Sequence, residues 1–151
     1  MKVTLAAVLS RQVRSKSEFG DRLIEEYLQR TTRYTACTSE LFDSESALLA
    51  QSDKEAGRTR AYVVLLDSRG QQYSSEEFAS RIGRLRDEGT QRLVLAIGPA
   101  DGWSPEARQR ADLLLSLGRM TLPHQLARVV LAEQVYRAFT ILAGHPYHSG
   151  H

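Results

Sequence analysis

The sequence contains a single cysteine, Cys37, among its 151 residues. One cysteine excludes an intramolecular disulfide, and because no histidine stands beside it, a conventional zinc site is excluded as well. The 4 prolines and 10 glycines are too few for a collagenous or disordered chain. No run approaches the roughly 20 apolar residues that a membrane span needs, and the apolar run at residues 3–9 lacks the cleavage site of a secretory signal. We therefore expect one domain, residues 1–151, in the reducing cytoplasm.

The motifs of several common ligand-binding and catalytic classes are also missing. The chain has no G-x-G-x-x-G and no G-x-x-x-x-G-K, which disfavours standard dinucleotide or nucleoside triphosphate use. It has no G-x-S-x-G nucleophile elbow and no H-E-x-x-H zinc motif. The spacing of His145 and His148 suits a metal pair, but an exposed tail is the simpler interpretation, and no metal site is expected.

Charge is nearly balanced, with 20 basic and 18 acidic residues and a net charge of +2. This excludes a strongly basic protein that coats DNA, whereas a local basic patch can still bind RNA. Residues 113–151 are the electropositive and titratable part, because Glu133 is the only acidic residue there. Its cationic and titratable residues are Arg119, Arg128, Arg137, His124, His145, His148 and His151.

Apolar runs and helical periods alternate along the chain. Four segments have the composition of strands, at residues 2–9, 34–41, 60–66 and 92–97. Helical periods fall between them, at residues 16–30, 43–57 and 74–89, the last of which begins with a capping-box pair. The run at 60–66 is almost wholly apolar, as is typical of a strand buried on both faces of a parallel sheet. The alternation predicts an α/β domain with a mostly parallel sheet flanked by helices.

The C-terminal half continues this pattern with two loops and two helices. Residues 67–70 and 98–102 are predicted to be the loops that follow two of the strands. Ser104 and Pro105 predict a helix start, and residues 113–117 are predicted to end that helix. Residues 120–122 are predicted to form a short strand. A long helix should then run from Pro123 to about residue 143, with Gly144 as its cap.

Ligands of open α/β sheets bind outside the carboxyl ends of the strands. In this chain those ends are residues 66–70 and 97–102, together with the segment 117–122. Composition and spacing lead no further than an α/β domain with an unidentified ligand at these strand ends.

Four segments from residue 95 onward carry a resemblance to a known family. They are LAIGPADGWS at 95–104, LSLGRMTLPH at 115–124, RVVLAEQVYRAF at 128–139 and HPYH at 145–148. Their order and spacing closely resemble the RlmH family, SPOUT-class methyltransferases that act on N3 of a pseudouridine in 23S rRNA. The start MKVTLAAV and LLDSRG at 65–70 match the family too, so the resemblance covers the chain nearly end to end.

The resemblance implies a SPOUT fold with a C-terminal trefoil knot, and S-adenosylmethionine bound within the knot chiefly through backbone groups. It also implies a homodimer with the site at the subunit interface, 23S rRNA within the ribosome as substrate, and no DNA or membrane partner. We expect the dimer to bury an apolar face of the last helix, including some of Leu126, Val130 and Val135. The family's cofactor contacts fall on positions that match Leu66, Gly98, Leu117, Gly118, Arg119, Met120, Thr121 and Leu122. Without the resemblance, these leucines would be taken as core residues and Gly98 as a turn glycine.

Methyl transfer to N3 of pseudouridine requires a weakly acidic proton to leave. Either a general base removes it, or a cation stabilises the developing negative charge. Arg137 suits the second role, although an ion pair with Glu133, four residues earlier, explains it equally well. Tyr147 and His148 are candidates for the base or for RNA contacts. We further expect Arg119 and Arg128 to contact phosphates and His124 either to cap the last helix or to support the site.

The chain departs from the family at three places, one of which is DSESALLAQ at 43–51, where a Lys/Arg-rich segment often precedes the third strand. It has GPADG at 98–102 where the family usually has Gly-Gly-x-Glu-Gly, and Pro99 removes a backbone N–H and fixes φ. Its tail ends with SGH at 149–151 where a basic residue usually follows the Tyr-His pair. These changes support one alternative, a non-catalytic knotted relative that binds RNA or the ribosome. A small-molecule-binding α/β protein is a third hypothesis.

Overall fold

The computed structural model describes residues 1–9, 20–53 and 57–150, which form one α/β unit. Its five strands are β1 (Lys2–Val8), β2 (Cys37–Phe42), β3 (Tyr62–Gln72), β4 (Arg92–Ile97) and β5 (Leu113–Ser116). Its helices are α1 (Asp21–Thr31), α2 (Glu45–Ser52), α3 (Ser75–Asp87), α4 (Pro105–Arg110) and α5 (His124–Leu142), followed by a 3-10 turn at His148–Gly150. The strands form a single sheet of order β2-β1-β4-β3-β5 in which every pairing is parallel, so the predicted fold class is confirmed.

The apolar strands are the centre of the core. Val63, Leu65, Leu93 and Leu95 are wholly buried, and burying one such leucine contributes about 1.5–3 kcal/mol. Helices α1, α3 and α5 pack on one face of the sheet, and α2 and α4 pack on the other. Both faces of the central strands are therefore covered, as their continuous apolar composition predicts.

Strand β3 is longer than predicted. Residues 67–70, predicted as a loop, lie within it, and its register with β5 shifts between Leu66 and Gln71. Gly70 permits this irregular pairing, because a Cβ there would lie 2.5 Å from the carbonyl carbon of Leu114. The prediction was wrong because polar residues in a bulged strand have the same composition as a loop.

Residues 113–117 were predicted to end a helix, but Leu113–Ser116 is strand β5. Helix α4 ends at Arg110 because Ala111 is extended. Asp112 then aligns the chain with β3: its carboxylate accepts from the Val63 N–H and its own N–H donates to the Val63 carbonyl, both at 2.8 Å. The strand predicted at residues 120–122 is absent, and that segment forms neither helix nor strand.

Most helix starts agree with the sequence. Ser74 and Glu77 form the predicted capping box, and Ser104 caps α4. Helix α1 begins at Asp21, later than predicted, and the prediction for residues 16–19 lies outside the described residues. Helix α2 ends at Ser52, before the predicted end at residue 57. None of the helices in the described ranges is long and apolar enough to cross a membrane.

The last helix buries one of the three residues expected at a dimer interface within the chain's own core. It ends at Leu142, and Gly144, predicted as its cap, follows Ala143 with a left-handed φ of 72°. Val135, expected at a subunit interface, is 0% exposed in the chain's own core, together with Leu131. Val135 therefore has no surface left for a partner, whereas Leu126 is 46% exposed and Val130 is half-buried, so the dimer face stays a prediction for those two residues.

Candidate active site

A cavity of about 580 Å³ lies at the carboxyl ends of β3, β4 and β5, and we call it the strand-end cavity. Parallel strands all present these ends at one edge, which is why distant loops converge there. Seven of the eight expected cofactor positions line it: Leu66, Gly98, Leu117, Gly118, Met120, Thr121 and Leu122. The eighth, Arg119, lies exposed in the same segment and does not line the cavity.

The wall formed by residues 117–122 offers backbone groups. Ser116 starts the segment with a tight turn, because its Oγ accepts from the Gly118 N–H at 3.1 Å and donates to the Gly118 carbonyl at 3.0 Å. Gly118 has a φ of 137°, which favours glycine. Because residues 117–122 form neither helix nor strand, no secondary-structure ladder occupies their N–H and C=O groups.

Trp103 supports the cavity in a way that the sequence analysis missed. Its indole N–H donates to the Leu66 carbonyl at 2.9 Å, and the residue is 7% exposed. A Cβ on Gly98 would lie 2.7 Å from the indole Cε2. Gly98 is therefore needed for the close approach of Trp103. The available signal was the single tryptophan directly after a Gly/Pro loop.

A buried acid also lines the cavity. The carboxylate of Asp67 is 6% exposed and pairs with Arg108, at 2.9 Å between Oδ2 and Nη2. The Arg69 N–H donates to the other carboxylate oxygen at 2.9 Å. Asp67 and both arginines line the cavity, and the sequence analysis had assigned no role to any of them.

His124 stands at the first position of α5 and lines the same cavity. Burial and the charge of Arg128 hold the pKa of His124 below its usual range, opposed by a hydrogen bond to the Pro99 backbone. The ring thus links α5 to the loop at 98–102, in agreement with a supporting role. Arg128, expected to contact phosphate, is only 10% exposed and pairs with Asp21 at 3.4 Å, a contact that leaves little of it open to RNA.

The three candidate catalytic residues lie together in a second group, which we call the tail cluster: Arg137, Tyr147 and His148, with Glu133 and Glu76. Arg137 binds one Glu133 oxygen through Nε at 2.9 Å and Nη2 at 2.7 Å, which confirms the expected ion pair. Its Nη1 contacts His148 Nδ1 at 2.9 Å. The Tyr147 hydroxyl donates to the same Glu133 oxygen at 3.1 Å, and the Arg137 guanidinium lies 4.8 Å from the centre of the Tyr147 ring.

Charge and burial fix the protonation of two members of the tail cluster. Burial and the adjacent Glu133 raise the pKa of Tyr147 to about 12, so its hydroxyl stays protonated at neutral pH. Burial alone would lower the pKa of Arg137, but its hydrogen bonds and charge interaction with Glu133 outweigh this and raise it. No member of the tail cluster lines the strand-end cavity. Within one chain, the two expected halves of the site are separate.

The parallel sheet flanked by helices has the fold of the SPOUT methyltransferases. The SpoU methyltransferase AviRb from Streptomyces viridochromogenes, solved with AdoMet, is similar with a TM-score of 0.50 and 13% identity, over 91% of this chain and 57% of that one. A probable methylase family protein from Haemophilus influenzae Rd KW20 is similar with a TM-score of 0.55 and 9% identity, over 96% of this chain and 69% of that one. At these identities, the likeness shows the fold alone.

Sequence similarity identifies the family within this fold. The family described as "Predicted SPOUT methyltransferase" matches residues 1–148. The ribosomal RNA large subunit methyltransferase H of Koribacter versatilis is 51% identical, over 91% of this chain and 94% of its own. The protein of the same name from Mesorhizobium japonicum is 44% identical, over 98% of this chain and 99% of its own. This chain belongs to the RlmH family of SPOUT methyltransferases.

Proposed function

We propose that this methyltransferase transfers a methyl group from S-adenosylmethionine to N3 of a pseudouridine in 23S rRNA on the ribosome. The observation that carries the proposal is that seven positions, expected from the resemblance alone, line one cavity. The names of the relatives support rRNA of the large subunit as substrate. The trefoil knot stays a prediction for residues 92 onward, and a C-terminal chain that can be pulled straight without entangling would contradict it.

The strand-end cavity suits the cofactor in size and chemistry. About 580 Å³ lies in the range of small-molecule sites. Leu66, Leu117 and Leu122 can hold adenine between apolar walls, while the backbone of residues 117–122 can hydrogen-bond its edge. S-adenosylmethionine supplies an electrophilic methyl group on a sulfonium.

The tail cluster suits the acceptor. As the N3 proton leaves, negative charge develops on the uracil ring, and the fixed cation of Arg137 can stabilise it. Tyr147 keeps its proton and so serves as a donor or stacking partner. Of the three candidates, His148 is then the one suited to accept a proton.

A homodimer would bring the two halves together, because the tail cluster of one chain can complete the strand-end cavity of its partner. Two exposed apolar side chains fit such an interface: Met120, which lines the cavity, is 85% exposed, and Leu126, in the first turn of α5, is 46% exposed. Covering both would remove apolar surface from water.

We expect light scattering at micromolar concentration to give twice the 16.9 kDa mass of one chain. Leu126→Glu should shift the mass to that of the monomer, because it places a charge in the interface. Leu23→Glu, at an equally exposed leucine on α1, is the control and should leave the dimer intact. A monomeric wild-type chain would contradict the proposed interface.

The function itself is tested with ribosomes from a strain that lacks its own enzyme. The chain and S-adenosylmethionine with a labelled methyl group should modify 23S rRNA at N3 of one pseudouridine, as read by mass spectrometry. Pro99 in the cavity lining favours the second candidate, a non-catalytic relative that binds RNA or the ribosome. Cofactor binding in calorimetry without methyl transfer would favour that candidate. Absence of cofactor binding would contradict both.

Pro99→Gly is expected to leave the affinity for S-adenosylmethionine nearly unchanged. Pro99 contributes its carbonyl to the turn, accepting from the Gly102 N–H at 2.9 Å, and this bond needs no N–H at residue 99. If a glycine N–H bonded the cofactor there, calorimetry would show a gain of about two- to twelve-fold, the value of one hydrogen bond. Pro105→Gly, outside the cavity lining, is the control. A gain above about tenfold would show that Pro99 damages the site.

A further inference from the structure

One carboxylate that the sequence analysis did not consider contacts the candidate catalytic residues. Glu76 lies in the first turn of α3, and its Oε1 is 2.6 Å from Nε2 of His148. The other ring nitrogen, Nδ1, is 2.9 Å from Nη1 of Arg137. Both nitrogens of His148 are therefore engaged, one by an anion and the other by a cation.

These two contacts fit a single protonation state of His148. A guanidinium N–H can only donate, so Nδ1 must present its lone pair to Arg137. A neutral ring then carries its proton on Nε2, and that N–H donates to the Glu76 carboxylate. A ring protonated on both nitrogens would place its Nδ1–H against the N–H of Arg137. The hydrogen bond from His148 also holds the pKa of Glu76 below its usual range, which keeps the carboxylate ionised.

We propose that Glu76 is a positioning residue for the methyl transfer: with Arg137 it holds His148 as the Nε2–H tautomer, so that the Nδ1 lone pair can accept the N3 proton of the pseudouridine. The proposal rests on the proposed function. It gives Glu76 no contact with the substrate, because Glu76 acts through His148.

The other members of the tail cluster are poorly suited to take this proton. The Tyr147 hydroxyl donates to Glu133 and keeps its own proton at neutral pH. Glu133 already accepts from Arg137 and Tyr147 at one oxygen and from Gln134 at the other. The Nδ1 lone pair becomes available when Arg137 turns one N–H from His148 to a uracil carbonyl oxygen. The cation then faces the charge that develops on the base.

The proton and electrons balance in one step. The Nδ1 lone pair of His148 forms a bond to the N3 proton, and the electron pair of the N3–H bond becomes the new N3–methyl bond. The pair of the broken carbon–sulfur bond stays on sulfur, which becomes a neutral thioether. His148 is left as an imidazolium next to the Glu76 carboxylate, and it returns its proton to water.

Glu76→Ala tests the proposal, and Glu77→Gln is the matched control. Both changes remove one negative charge from the first turn of α3. Glutamine at residue 77 can still form the capping box with Ser74, so the control does not disturb the start of the helix. We expect Glu76→Ala to lower kcat for ribosome methylation by about 10- to 100-fold with KM within about twofold. Glu77→Gln should retain kcat. Glu76→Gln should restore much of the loss, since its amide oxygen can still accept from Nε2–H.

Nitrogen-15 NMR of the histidine rings reads the tautomer directly, without RNA. The wild-type His148 should show the proton on Nε2, and Glu76→Ala should show a mixture of tautomers. If Glu76 only anchored the tail, its loss in Glu76→Ala would raise KM and leave kcat unchanged. An unchanged tautomer, or a kcat equal to that of Glu77→Gln, would overturn the proposal while leaving the proposed function intact. A wild-type chain that methylates no ribosome would overturn the proposed function, and the proposal with it.

Discussion

Arg137→Gln is expected to lower the rate of methyl transfer to ribosomes by about 10²–10³-fold, the usual cost of removing one group that stabilises developing charge. Glutamine keeps an amide donor for Glu133 but removes the cation. The affinity for S-adenosylmethionine should stay unchanged, because Arg137 does not line the strand-end cavity. Single-turnover kinetics measures the rate, and calorimetry measures the affinity.

Arg30→Gln is the matched control for this variant. Like Arg137, Arg30 lies beside an aromatic ring, in its case that of Tyr136 at 5.9 Å from the centre, and it pairs with Glu26 on the surface of α1. Its loss should change the transfer rate by less than about threefold, since surface pairs contribute little. Equal rates for the two variants would contradict the catalytic role of Arg137. A parallel loss of cofactor affinity would assign Arg137 to cofactor binding.

Gly70→Ala is expected to lower the free energy of unfolding by about 3 kcal/mol, the upper end for an overpacked site. The new Cβ would meet the Leu114 carbonyl carbon at 2.5 Å and the Leu115 nitrogen at 2.7 Å. Backbone atoms give way only if β5 separates from β3. Because β5 leads into residues 117–122, the affinity for S-adenosylmethionine should fall with the stability. Chemical denaturation and calorimetry measure the two quantities.

Gly83→Ala is the control, because a Cβ at Gly83 would meet only the end of a flexible side chain, Leu142 Cδ2 at 2.8 Å. That side chain can rotate away, and alanine is favoured over glycine within a helix by about 1 kcal/mol. We expect stability close to that of the wild-type chain. If the two alanine variants have equal free energies of unfolding, the close approach of β3 and β5 does not constrain the fold.

Local signals in the sequence predicted the parts of the fold that local chemistry determines. The capping box at Ser74 is complete within four residues, and the buried run that includes Val63 and Leu65 needs no distant partner to be recognised as a strand. Strand β5 was missed because its identity depends on Asp112 pairing with Val63 across the sheet. No window of sequence around Asp112 contains that information.

In the candidate site, too, some residues were predicted from the sequence, whereas those that act through distant contacts were missed. The cavity positions came from the resemblance and lie together, since parallel strand ends converge at one edge. Trp103 was missed because its role depends on the Leu66 carbonyl, 37 residues away. Glu76 was missed because α3 and the tail meet only in the folded chain. Side chains that act on distant backbone or on another side chain leave no periodic or spaced pattern in the sequence.

The buried indole of Trp103 gives this chain an optical reporter of its own site. It is the only tryptophan, so nearly all emission excited at 295 nm arises beside the strand-end cavity. Its N–H is tied to the Leu66 carbonyl, and any ligand that alters the polarity or packing there changes the energy of its excited state. Cofactor occupancy can therefore be followed by intrinsic fluorescence in an unlabelled chain, during turnover and in every variant that keeps Trp103.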